Sequence, residues 1–246
     1  MNIRLQAGYL SALVFLVLFF SAIPASADEY VGGIPLRTVE HGVVSGGLYY
    51  DVVYGLSGNV VEKTFVLPAY TEISWARLYV VVYCGHMRNN YQADLDVRFD
   101  GDGNGMYDRS WREHLNVEYS FPGEGGGGPV IVGPNGNRVT SDYLFWYDVS
   151  DLIEGSSVRA GVTTTRPSGY TGTFDGRIKL VALVVAYDDG STDQVYYWIN
   201  QGHDTSTYHD EQYVGQTYFD LPDIHEYPVS AALSVIHLSS VDGRYW

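Results

Sequence analysis

The densest run of chemistry-bearing residues is Asp100-Gly101-Asp102-Gly103-Asn104-Gly105-Met106-Tyr107-Asp108. Side-chain oxygens at the first, third and fifth positions, glycine at the sixth and aspartate at the ninth follow the spacing of a calcium loop. There the chain coils and points successive oxygens at one hard cation. The seventh position contributes a main-chain carbonyl, here that of Met106. The expected ligand set is therefore Asp100, Asp102, Asn104, Met106 and Asp108. The twelfth position, where a helix–loop–helix site carries a bidentate glutamate, is Trp111, and no helix precedes the loop. This is no EF-hand, and Glu113 is the nearest acid that could stand in. The competing reading is a plain acidic turn, since Asp, Asn and Gly form turns without an ion. A phosphate-cradling glycine loop is excluded, because three aspartates would face the phosphate.

A second cluster is Trp198-Ile199-Asn200-Gln201-Gly202-His203-Asp204, followed by Thr205 to Glu211 with His209, Asp210 and Glu211 in a row. Two histidines and three carboxylates offer transition-metal ligands. Their spacing matches no zinc signature, however, and consecutive residues diverge, so a solvated loop beside a strand is the better reading. Tyr196, Tyr197 and Trp198 could form a sugar-stacking platform or pack within a sheet. Trp198, Asn200, His203 and Asp204 are the candidate ligand-binding residues. No nucleophile elbow, H-E-x-x-H, C-x-x-C, Walker or dinucleotide motif occurs, so no catalytic residue is assigned. A glycosidase needs only two suitably spaced carboxylates, and 29 acids supply too many pairs for sequence to choose among.

The elements that must position these residues are strands. Runs of alternating or continuous apolar residues, each bounded by Gly, Asn, Asp or Pro, recur from about residue 48. They are 48–54, 60–67, 76–84, 93–99, 115–120, 143–149, 158–165, 178–187, 194–199, 216–219 and 229–237. In the run from Ala93, Leu95, Val97 and Phe99 share one face, while Asp94, Asp96 and Arg98 share the other. No helical period spans eleven residues after the leader, and Ser150–Glu154 allows one turn at most. About eleven strands predict an all-β fold, a β-sandwich of the jelly-roll kind. The phrase Tyr147-Asp148-Val149-Ser150-Asp151-Leu152-Ile153, a strand leaving its sheet through a capped turn, resembles galactose-binding-like jelly rolls and supports fold only.

Composition bounds the function. The 246 residues carry a net charge of −15, which repels phosphate backbones and argues against a nucleic-acid partner. Residues 1–27 have one basic residue, an apolar stretch from Tyr9 to Phe20 and the small-residue site Ala25-Ser26-Ala27. This is the layout of a secretory signal peptide, leaving a single β-sandwich domain over 28–246 with no transmembrane segment. The lone Cys84 lies in an apolar run and is expected as core filling rather than as a nucleophile.

Several phrases taken together resemble an archaeal family of secreted and cell-surface proteins, the domain of unknown function numbered 3344. They include Tyr30-Val31-Gly32-Gly33-Ile34-Pro35-Leu36, Trp75-Ala76-Arg77-Leu78-Tyr79, Tyr83-Cys84-Gly85-His86-Met87, Arg138-Val139-Thr140-Ser141-Asp142-Tyr143 and Trp146-Tyr147-Asp148-Val149. Phe174-Asp175-Gly176-Arg177, Val185-Ala186-Tyr187-Asp188-Asp189-Gly190 and Trp198–Asp204 complete the set. The resemblance covers nearly all of the mature chain and implies an extracellular or cell-surface location without an established activity. The closing Asp242-Gly243-Arg244-Tyr245-Trp246 resembles a place where relatives continue.

The leading expectation is a non-catalytic extracellular structural or adhesion module, ordered by calcium and contacting polysaccharide or cell-surface proteins. The alternatives are a secreted glycosidase or lyase, and a self-assembling surface-layer or sheath subunit.

Overall fold

The computed structural model describes residues 32–54, 58–86, 89–119, 128–205, 216–219 and 230–238. The leader at 1–27, the glycine run at 123–127, His209–Glu211 and the closing residues 242–246 lie outside the described residues. Among the described residues the chain is all-β. Its strands are β1 (Gly32–Val44), β2 (Gly47–Tyr54), β3 (Val60–Val66), β4 (Glu72–Tyr83), β5 (Gly85–His86), β6 (Asn89–Asn90) and β7 (Ala93–Asp100). They continue as β8 (Arg109–Leu115), β9 (Val130–Ile131), β10 (Gly136–Val139), β11 (Asp142–Asp148), β12 (Ser157–Thr165), β13 (Ile178–Asp188) and β14 (Val195–Thr205). The helical turn anticipated after β11 is a single 3-10 turn at Ser150–Leu152. Among the described residues no helix is long and apolar enough to cross a membrane.

All ladders are antiparallel. One sheet has the order β2-β13-β4-β11-β10-β9 and a second the order β3-β12-β7-β8; β1 and β14 form a long two-stranded ribbon, and β5 and β6 a short hairpin. Buried residues of both large sheets fall into one hydrophobic cluster, with Phe65, Leu78, Val80, Leu95, Val97, Phe99, Leu115, Phe145, Val162 and Leu183 among its members. Burying one such side chain contributes roughly 1.5–3 kcal/mol. The alternation in β7 is as expected: Leu95, Val97 and Phe99 are fully buried and Asp94, Asp96 and Arg98 face outward. Cys84 is fully buried within this cluster, its Sγ 3.5 Å from the Tyr91 carbonyl oxygen, and burial pushes its thiol up to about 12. A thiol held protonated in this way is packing, not a nucleophile.

The ribbon buries its own small cluster of Val44, Trp75, Ala186, Tyr197 and Ile199, which joins it to β4 and β13. Arg77 on β4 donates to the Gln201 side chain at 2.9 Å, and its guanidinium lies over Trp75.

Three expectations require correction. The strand expected at 115–120 ends at Leu115 instead and begins at Arg109. Its charged appearance hid it: Arg112 and His114 bond to Asp96 and Asp94 across the ladder, so the polar face of an edge strand is paired with that of β7. The long β1 precedes the first expected strand, and Pro35 sits near a register shift in an edge strand that tolerates a missing donor. Residues 216–219 and 230–238 form no strand ladder.

Candidate functional site

The acidic loop leaves β7 at Asp100 and returns to β8 at Arg109. The Asp100 side chain is nearly fully buried. Its two carboxylate oxygens accept the Gly103 N–H at 2.8 Å and the Gly105 N–H at 3.0 Å. Asp108 accepts the Gly101 N–H at 2.7 Å, Asp102 accepts the Asn104 N–H at 2.9 Å and its side-chain amide at 2.7 Å, and Asn104 Oδ1 accepts the Met106 N–H at 2.7 Å. The coil depends on Gly103 (φ 75°) and Gly105 (φ 91°), a backbone region that side chains bearing Cβ disfavour. At Gly101 a Cβ would run into the Leu152 carbonyl, so the 3-10 turn after β11 packs directly beneath the loop.

One carboxylate oxygen from each of Asp100, Asp102 and Asp108 lies within 4.8 Å of the others, and this acidic triad could hold a metal. Asn104 and Met106 occupy the rim, the Met106 side chain pointing into solvent. Behind the triad, Arg159 on β12 places Nη2 3.7 Å from Asp100 Oδ2 and donates to the Gly105 carbonyl at 2.7 Å. Its guanidinium and that of Arg98 both lie against the Tyr107 ring, at 4.7 and 4.6 Å from its centroid, and the Tyr107 hydroxyl donates to Glu62 at 2.9 Å. Arg159 thus offsets part of the triad's charge from the protein side.

Glu113 does not complete this set. It faces Tyr147 and Asn135, whose hydroxyl and amide donate to its carboxylate at 3.5 Å each, and burial raises its pKa from the ordinary carboxylate value. Alternation explains the miss: in β8, Trp111, Glu113 and Leu115 turn toward the six-stranded sheet, where Trp111 packs on Tyr147 with ring centroids 4.7 Å apart.

The cluster on β14 is divided by the pleat. Tyr197 and Ile199 turn inward to the ribbon's own core. Tyr196 and Trp198 lie on the opposite face, their rings 6.5 Å apart and 16° from parallel. Asn200 is held from three directions: it accepts from the Thr38 hydroxyl at 2.7 Å and donates to the Thr217 hydroxyl at 2.6 Å and the Tyr218 carbonyl at 3.0 Å. His203 Nδ1 lies 2.6 Å from Oδ1 of the buried Asn137 on β10. Withdrawal of the imidazole from water, and secondarily the charge of Lys179, lower its pKa to about 4. It is neutral at ordinary pH and acts as a tie. Asp204 sits at the end of the ribbon, paired in register with Gly33. The four candidates do not converge on one ligand.

Sequence reasoning missed the polar groups near His203. Lys179 on β13 approaches both carboxylate oxygens of Asp142 on β11, at 2.9 and 3.1 Å, and burial raises the Asp142 pKa against the pull of that ammonium. Arg138 is fully buried. It donates to the Thr140 carbonyl at 3.0 Å, the Asn90 side chain at 2.8 Å, the Asn89 carbonyl at 3.1 Å and the Val117 carbonyl. One guanidinium therefore joins β10, its own hairpin turn, where Thr140 adopts φ 53°, the β5–β6 hairpin and the segment after β8. The usable signal is an arginine in a short Gly-Asn-Arg-Val stretch, but apart from Thr140 the partners just named lie about 20 to 50 residues away in the chain.

The fold and these clusters define an all-β protein of antiparallel sheets with an acidic inter-strand loop. The chain belongs to the family described as proteins of unknown function, DUF3344, whose profile matches residues 29–246. A search of curated proteins found no match.

Proposed function

We propose that the two large sheets form a jelly-roll sandwich and that the mature chain is a non-catalytic extracellular or cell-surface module, structural or adhesive, stabilised by calcium and contacting polysaccharide. The strand order supports the architecture. Numbering the strands β2, β3, β4, β7, β8, β11, β12 and β13 from one to eight, the ladders pair first with eighth, second with seventh, third with sixth and fourth with fifth. Such a ribbon, rolled up, produces two four-stranded sheets in the order observed, with β10 and β9 appended. Export rests on the leader and on the resemblance described from the sequence.

The observation that carries the calcium reading is the convergence of Asp100, Asp102 and Asp108, three hard oxygen donors on a glycine-coiled loop between two strands. A cation there would neutralise the triad and fasten the β7–β8 connection to the turn after β11. Melting the purified secreted chain with calcium and with chelator tests it. At a calcium concentration of 100 Kd the folded state gains about 2.7 kcal/mol, a rise of several degrees for a chain of this size. Equal melting temperatures would remove calcium from the reading.

A secreted carbohydrate-active enzyme is the second reading, favoured by one feature: Glu113, a carboxyl with raised pKa beside Trp111 and Tyr147, the kind of group that serves as a general acid. Loss of a measurable glycan cleavage in Glu113→Gln would support it, and absence of cleavage by the wild-type chain would count against it.

A further inference from the structure

The outward face of the β1–β14 ribbon has a composition unlike the rest of the surface. Cross-strand partners share a face, and the register pairs Val43 with Tyr196 and His41 with Trp198. The next residues along that face, Thr38 and Asn200, are joined by a hydrogen bond. The strip therefore runs Val43/Tyr196, His41/Trp198, Thr38/Asn200 and ends against Thr217 and Tyr218. Val43 is 50% and Tyr196 39% exposed, and Trp198 is half-exposed. The inward face of the same ribbon is anchored by Val44, Tyr197 and Ile199, so the strip rides on a fixed support.

The two aromatic rings lie nearly parallel along one strand, 16° from each other, with centroids 6.5 Å apart. Side-by-side rings offer two successive apolar platforms, suited to the C–H faces of sugar rings, and the His41 imidazole opposite them offers a hydrogen bond at the edge. The strip carries no carboxylate, lysine or arginine, in a chain whose net charge is −15. An anionic chain approaching this protein meets repulsion with no basic row to offset it, whereas a neutral one does not.

We infer that the outward face of the β1–β14 ribbon, centred on Tyr196 and Trp198 with Val43 and His41 opposite, is a docking strip for a neutral polysaccharide. This rests on the polysaccharide-contacting module proposed above and sharpens it to one face and one charge class. It also removes Asn200 and His203 from primary ligand contact, since their polar atoms serve the fold.

The test is co-sedimentation of the full secreted chain with microcrystalline cellulose and with chitin, both neutral, and gel retardation in soluble polygalacturonate as the acidic probe. The wild-type chain is expected to be retained by at least one neutral polymer. Replacing Tyr196→Ala and Trp198→Ala together is expected to lower retention at least tenfold while melting stays within a few degrees. Should the double variant unfold, Val43→Lys on the facing strand keeps both rings and puts a hydrated charge beside them; it is also expected to lower retention.

Retention by a neutral polymer that the folded variants leave unchanged would overturn the ribbon assignment while the module's polysaccharide contact stands. Failure of the wild-type chain on all three probes would overturn both together. Preference for polygalacturonate would overturn the charge class inferred here.

Discussion

The acidic loop at 100–108 and the β14 cluster at 198–204 are both short, polar and rich in ligand-type side chains, yet they are built in opposite ways. In the loop the carboxylate–backbone bonds span seven residues or fewer, and Arg159 is the distant residue that closes over it. In the β14 cluster almost nothing is local. Trp198 is opposite His41, Asn200 bonds Thr38, Gln201 bonds Arg77 and His203 bonds Asn137. The loop is a self-contained coil that converges its oxygens. The β14 run is a seam: Trp198 and Asn200 meet β1 within the ribbon, while Gln201 and His203 fasten the ribbon to β4 and β10. Convergence is what a ligand site needs, and divergence along a pleat is what an interface needs.

If the seam region is structural, its strongest fastening should be the costliest to cut. Arg138 adjoins Asn137 on β10, is itself fully buried, and donates to three main-chain carbonyls, of which that of Val117 also accepts from the Tyr143 hydroxyl. Arg138→Met preserves much of the volume and removes every donor. Hydrogen bonds to a charged group contribute about 1.5–3 kcal/mol each, so the variant is expected to lose about 3 kcal/mol or more. Urea unfolding measures it as a fall in midpoint at constant slope. A loss under about 1 kcal/mol would show the guanidinium to be a bystander.

His203 tests the same seam by pH. Its pKa is depressed to about 4 in the folded chain against an ordinary value near 6.5. Below about pH 6.5 the unfolded chain takes up a proton that the folded chain refuses, so stability falls as pH drops. The loss accumulates down to about pH 4 and then levels off. The shift corresponds to roughly 3 kcal/mol across that window. His203→Gln keeps a hydrogen-bonding group toward Asn137 and cannot titrate. The stability difference between wild type and variant should therefore be pH-independent above 7 and narrow steadily toward pH 4. A parallel pair of curves would place His203 outside the seam.

What could be read in the sequence follows this division. The all-β class, the alternation of β7 and the burial of Cys84 rest on period-2 patterns a few residues long. The acidic triad was legible for the same reason, its residues being neighbours in the chain. Proximity in sequence makes Glu113 a possible stand-in for the loop's missing ligand, but the pleat of β8 turns it toward Tyr147. The edge strands β1 and β8 were missed or shifted because edge positions tolerate Pro35 and alternating charge, which weaken the apolar signal. The grouping of Trp198, Asn200, His203 and Asp204 into one site failed on register, since which residue of β1, β10 or β4 each one meets is fixed by pairings more than 60 residues apart. Most Arg138 contacts and the Lys179–Asp142 pair likewise join residues about 20 to 50 apart in the chain, which no local pattern reveals.

The smallest effect should come from the loop's most exposed ligand, and there the comparison is sharpest. Asp102 lies at the surface, and among the described residues its carboxylate bonds only to Asn104, two residues away. In chelator, Asp102→Ala removes a local turn contact in water, and its cost should stay within about 0.5 kcal/mol, as for surface substitutions away from buried features. With calcium present the same substitution takes away one of three converging carboxylates. Most of the calcium-dependent rise in melting temperature should then vanish, so the variant melts alike in calcium and in chelator. Asp100 cannot make this distinction, because its buried carboxylate also holds the Gly103 and Gly105 N–H groups and its loss would lower stability with or without an ion. A wild-type chain that melts higher in calcium, and an Asp102→Ala chain that rises equally, would mean that the cation binds elsewhere and that the loop is a turn held together by its own hydrogen bonds.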